Sequence, residues 1–149
     1  MIIGINDYKG ISSGKLEHIM LGTVSKGRIS GYHCDKDYID TNAVVEGRHY
    51  PKTKRIVTCN RYHKVFEGIV KIKTSTTRII KAGNNGKSSF FSYEWSRQDV
   101  VDCISRIQSN GKTIKQYKKI TGNNNICMDP KTGLIIVDNS ASSYPLIRL

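Results

Sequence analysis

No two cysteines in this 149-residue sequence lie close enough to mark a zinc knuckle or a redox pair. Cys34, Cys59, Cys103 and Cys127 are widely scattered, and a chain of this length needs no disulfide staple, so free and mostly buried thiols are expected. Long apolar runs are missing too. Leu134-Ile135-Ile136-Val137 has the length of a strand, far short of the roughly 20 residues of a membrane span, so this domain is not expected to insert into a membrane. Met1-Ile2-Ile3 runs directly into Gly4, Asn6 and Asp7, and no secretory signal is expected there. The chain shows no internal repeat and no Pro/Gly/Ser-rich linker, which points to one domain over residues 1–149.

Acidic residues are scarcest where basic ones are densest. The net charge is +12, from 24 Lys and Arg against 12 Asp and Glu. Residues 1–47 carry a net of −1 and residues 88–149 a net of +3, whereas residues 48–87 hold eleven basic side chains and the single acid Glu67. Like charges packed this densely repel one another. Their interleaving with Tyr50, Tyr62, His63 and Phe66 points to a polyanion-binding surface, with RNA, DNA and an acidic protein as candidates. A solvated strand face is the plainer reading.

The local patterns predict an α+β domain with a twisted, mainly antiparallel sheet. Leu16, Ile19 and Met20 fall at helical spacing between a capping Ser13 and a terminating Gly22, which predicts a short helix ending near Leu21. Residues 65–73 and the β-branched run 74–80 read as strands, and 82–86 as a turn. Ser96 and Asp99 form a near capping box ahead of the stripe Val100, Val101, Ile104 and Ile107, and Asn110-Gly111 closes that amphipathic helix. Residues 126–128 and 134–137 flank the turn 129–133 as a hairpin, and Asn139 to Ile147 reads as one more strand.

Four histidines are present: His18, His33, His49 and His63. Gly27 and Gly31 let the chain double back between His18 and His33 and bring those two imidazoles together. With an ordinary pKa of about 6.5, one imidazole can take a proton and the other supply one near neutral pH. Two histidines beside a bound phosphate therefore suffice to cleave RNA. Isolated packed or surface histidines are the alternative.

Residues 17–22 and 27–33, which hold these histidines, resemble the paired-histidine signature of the bacterial EndoU nuclease family. Lys87-Ser88-Ser89-Phe90-Phe91 with Trp95-Ser96 is similar to the family's Ser/Thr-Phe-Phe-Pro…Trp-Ser segment, and Ser142-Ser143-Tyr144-Pro145-Leu146 to its terminal Thr-Ala-Tyr-Pro-Leu. The four blocks follow the family's order from His18 to Leu146. Ser30 departs from a common glycine, Ser92 from a proline, and Ser142 from a threonine whose hydroxyl it keeps. Residues 34–86 match poorly, so the resemblance places no catalytic lysine.

The resemblance implies a fold shared by barnase-like, EndoU and RelE-type proteins. It also implies an RNA endonuclease, some members cutting tRNA, that works by 2′-OH attack and leaves a 2′,3′-cyclic phosphate. Many bacterial members are terminal domains of large contact-dependent or secreted toxins, delivered into the cytoplasm of a neighbouring cell and silenced by a cognate immunity protein, expected here to be acidic. Carried over by position, His33 becomes the base and His18 the acid, Ser142 binds phosphate and Tyr144 orients the ribose. Gly31 offers a backbone N–H to the phosphate. Lys87 is the first candidate for the charge-balancing cation, with Lys71 and Lys73 as rivals. His49 and His63 are expected at the surface or against RNA. No carboxylate cluster suggests a metal site, and no cofactor is expected. The competing readings are a non-catalytic RNA- or DNA-binding module, which would tolerate loss of the histidines, and a metal-dependent DNase toxin.

Overall fold

A computed structural model of the chain describes residues 11–36, 38–50, 60, 63–73, 86–121 and 125–147. The predicted strand 74–80, the turn 82–85, Cys59 and the basic residues Lys52, Lys54 and Arg55 lie outside them. Helix α1 spans Ser13–Met20 and buries Leu16, Ile19 and Met20. Its N-cap is Ser12 rather than the expected Ser13: the Ser12 hydroxyl accepts from the Lys15 amide, the third residue on, at 3.2 Å. Gly22 at φ 79° ends the helix, as the sequence suggests. Strands β1 (Thr23–Ser25) and β2 (Arg28–Ser30) follow as a tight hairpin. Its two turn residues, Lys26 and Gly27, both take positive φ, at 51° and 73°, the geometry a two-residue hairpin turn favours.

Among the described residues the antiparallel pairing expected from the sequence is distributed over three sheets: the pair β1–β2, a three-stranded and a four-stranded sheet. In the first of the larger sheets β4 (Phe66–Ile72) lies between β3 (Ala43–His49) and β5 (Lys87–Phe90). Ile29, Tyr32, Ala43, Phe66, Val70 and Phe90 form the core beneath it. The second runs β6 (Lys112–Thr113), β7 (Ile126–Met128), β8 (Ile135–Asp138) and β9 (Ser143–Pro145). Strand β8 is covered on both faces. Ile136 packs with α1 and with α2 (Arg97–Asn110), while Ile135 and Val137 pack with Ile126 and Leu146. Two-sided burial is why 134–137 reads as an unbroken apolar run.

Helix α2 carries the full capping box, with Ser96 Oγ bonded to the Asp99 amide and the Asp99 carboxylate to the Ser96 amide. Among the described residues, six elements lie outside the helices and strands expected from the sequence: β1, β2, β3, β5, β6 and α3. Strand β3 contains Glu46, Gly47 and Arg48 and a register shift between Glu46 and His49, which breaks the alternation that marks a strand. The short helix α3 (Lys115–Thr121) has no acid in its first turn to announce it. Cys34, Cys103 and Cys127 carry free thiols.

Candidate active site

The end of α1 and the segment after β2 are stitched together through the backbone. Tyr32 N donates to His18 O and His33 N to Ile19 O, each at 2.8 Å. Two consecutive residues with positive φ, Gly31 at 75° and Tyr32 at 72°, turn the chain so that this pairing forms. Tyr32 is not a glycine, so its conformation is strained unless the surroundings hold it. Its ring is buried against Phe90, and its hydroxyl donates to Asp35 at 2.8 Å. The result is that His18 and His33 face each other with ring centroids 6.4 Å apart.

On its other side the His33 segment is tied to β5. Phe91 N donates to His33 O at 3.0 Å, and His33 Nδ1 lies 2.8 Å from Ser89 O. A carbonyl only accepts, so Nδ1 carries the proton and, in the neutral ring, the lone pair sits on Nε2. That tautomer is the one a general base requires. His18 Nδ1 lies 3.3 Å from the Thr23 hydroxyl. Tyr144 of β9 stacks on His33, with centroids 5.0 Å apart and planes at 27°. Burial raises the Tyr144 phenol above its ordinary value, so it stays protonated.

These groups line one cleft of about 450 Å³: His18, Gly31, His33, Lys87, Ser142 and Tyr144, with Ser30, Ser88 and Ser89. Ser142 is buried, yet its Oγ has no hydrogen-bond partner among the described residues. Buried hydroxyls without partners are rare and costly, and one in the wall of a cleft suits an oxygen-bearing ligand. Burial also pushes the neighbouring Cys34 thiol up to about 12, which keeps it protonated.

The family model for the bacterial EndoU nucleases matches residues 12–145, nearly the whole length. The chain belongs to this family. It is also 29% identical over 96 residues to a protein of Bacillus cereus named "Toxin", in a match covering 64% of this chain and 15% of that protein. No solved structure matches. Four residues of the two histidine blocks that carry the resemblance, His18, Ser30, Gly31 and His33, line the cleft.

For this EndoU member the structure separates the three lysines considered from sequence. Lys87, at the start of β5, lines the cleft. Lys71 on β4 points to Glu46, with Nζ 2.6 Å from its carboxylate. Lys73 donates to Ile39 O at 2.8 Å and lines a separate cavity with Asp35 and Arg48. Arg48 is paired with Asp35 at 2.9 Å, and Lys64 with Glu94 at 2.7 Å. Part of the basic segment's charge is thus balanced by acids from outside it. His49 is exposed at the end of β3 and His63 is half-buried; neither lines the cleft. Burial lowers the His63 pKa, and the nearby Asp129 charge only partly offsets this. The sequence reading contains no role for Ser89 or Thr23. Ser89 acts through its carbonyl, which no residue type announces, whereas Thr23 lies five residues after His18 and a local reading could have reached it.

Proposed function

We infer that this chain is the RNA-cleaving domain of a larger toxin. The observation that carries the reading is the bond from His33 to Ser89 O, which sets the tautomer of a base in a cleft shared with a second histidine, a lysine and an unpartnered hydroxyl. In this scheme His33 Nε2 takes the proton of a ribose 2′-OH as its oxygen bonds to phosphorus. The bond from phosphorus to the 5′-oxygen breaks, and His18 protonates that leaving oxygen. The products are a 2′,3′-cyclic phosphate and a 5′-hydroxyl. Lys87, Ser142 Oγ and the Gly31 amide hold the phosphate as its negative charge grows, and Tyr144, packed on His33, orients the ribose. Imidazoles make every proton transfer, so the scheme assigns no step to a metal.

The named relative supports a toxin role, and the 15% of its length matched here fits a domain delivered as part of a larger secreted or surface protein. The target compartment in this reading is the cytoplasm of the receiving cell, and the substrate is tRNA. A net charge of +12 suits an acidic immunity protein that covers the cleft and associates faster at low salt.

Incubating the purified protein with total tRNA in excess EDTA tests the reading. Cleavage with cyclic phosphate ends is expected, and His18→Ala and His33→Ala should each slow it by about 10²-fold or more. Intact but bound RNA would favour the non-catalytic binding module. Cleavage only with an added divalent ion, or 5′-phosphate ends, would count against the mechanism.

A further inference from the structure

Lys15 lies in the first turn of α1, yet it is only 5% exposed. Its Nζ donates to Asp138 Oδ1 at 2.6 Å, and the same oxygen accepts from Ser143 Oγ. Asp138 and Ser143 face each other across the end of the β8–β9 ladder and close the turn 139–142. Ser142 belongs to that turn. Its amide donates to Asn139 Oδ1 at 2.8 Å, and Asn139 N donates back to Ser142 O at 3.0 Å. Tyr144 is the next residue after Ser143.

Stability is a weak reason for this pair. Taking two charges out of water often costs as much as their attraction returns, and an apolar pair of the same shape holds a fold equally well. Location gives a better one. Lys15 and His18 are three residues apart on one face of α1. Leu16, Ile19 and Met20 join α1 to the core that contains Leu134 and Ile136, but apolar contact has no preferred direction. A buried ammonium bonded to one carboxylate oxygen has one. The pair therefore sets where the helix bearing His18 stands relative to the turn bearing Ser142 and Tyr144.

We propose that Lys15 is a positioning residue that acts through Asp138 and Ser143 to hold the phosphate-binding hydroxyl in register with the histidine pair. The proposal rests on the nuclease reading above. Its test uses the full chain as wild type, Lys15→Met/Asp138→Asn and Ser143→Ala. The double variant leaves no buried charge unpaired, and Ser143→Ala keeps the ion pair. Three quantities are read: single-turnover cleavage of an RNA, affinity for its 2′-O-methyl copy, which offers no nucleophile, and the melting temperature. The double variant should bind within about threefold of wild type and cleave roughly ten- to a hundredfold more slowly, the scale of a misplacement near 1 Å. Ser143→Ala should be slowed in the same sense, by about tenfold or less. Wild-type cleavage by a folded double variant overturns the proposal. So does a rate loss in both variants that is matched by lost binding or lost fold. If wild type itself leaves RNA intact, the nuclease reading falls and takes this proposal with it; an active wild type beside an equally active double variant removes the proposal alone.

Discussion

Gly31 and His18 are so close that a side chain on one would occupy the place of the other. A Cβ built on Gly31 lies 2.7 Å from His18 Nε2 and closer still to His18 O. The glycine also holds φ at 75°, where a larger residue is strained. Gly31→Ala is therefore expected to cost roughly 1–3 kcal/mol of stability and to displace the His18 ring. Cleavage should fall by about 10²-fold even where the variant is fully folded, because a small displacement of an acid–base group is enough. Denaturant unfolding paired with a single-turnover assay checks this, and an active, folded Gly31→Ala would refute the close-approach argument.

Ser142 should separate stability from activity. Its buried Oγ has no hydrogen-bond partner among the described residues, so Ser142→Ala removes a desolvated polar atom. The melting temperature is expected to stay level or to rise by a few degrees, since an unsatisfied group costs about 1–3 kcal/mol. The cleavage rate should drop while affinity for an uncleavable RNA stays within about threefold, because the hydroxyl meets charge that grows only in the transition state. A variant that melts lower and cleaves normally would mean that the hydroxyl serves the fold.

The lysines give a comparison within one molecule. Lys87→Met should slow cleavage by about 10²-fold, the scale of losing one preorganised charge contact to the transition state. Lys71→Met and Lys73→Met should change it by less than about threefold, because Lys71 is directed to Glu46 and Lys73 to the Ile39 carbonyl, outside the cleft. A larger loss from Lys71→Met than from Lys87→Met would move the charge-balancing role onto β4.

Acid stability should depend on Asp129. Burial pushes its carboxyl up, but bonds from Arg106, Thr132 Oγ1 and the Lys131 amide outweigh this and hold it well below the usual carboxylate range. A folded pKa below the unfolded one stabilises the protein above the unfolded value, near 3.9, and that contribution fades as pH falls toward the folded value. Urea midpoints should therefore decline below about pH 4 in wild type. In Asp129→Asn they should start lower at pH 7 and decline less over the same acid range. Parallel pH curves for the two proteins would remove Asp129 as the source.

By itself the sequence determined whatever is held in short windows. The Ser96–Asp99 capping box, the apolar stripe of α2 and the hairpin 126–137 all lie within one short stretch of chain each, where spacing and backbone preference act directly. Even there a one-residue choice escaped it: Ser12 and Ser13 are both good caps, and only the path of the chain decides which hydroxyl meets the Lys15 amide. What tertiary structure decided is the working detail of the site. The tautomer of His33 depends on a carbonyl 56 residues away, and Lys15 meets Asp138 across 123 residues. Lys87, Lys71 and Lys73 are chemically alike in the sequence; pairing between strands sends one to the cleft, one to Glu46 and one to a backbone carbonyl. Residue type records what a group can do, but its partner is set by which distant segments pack together.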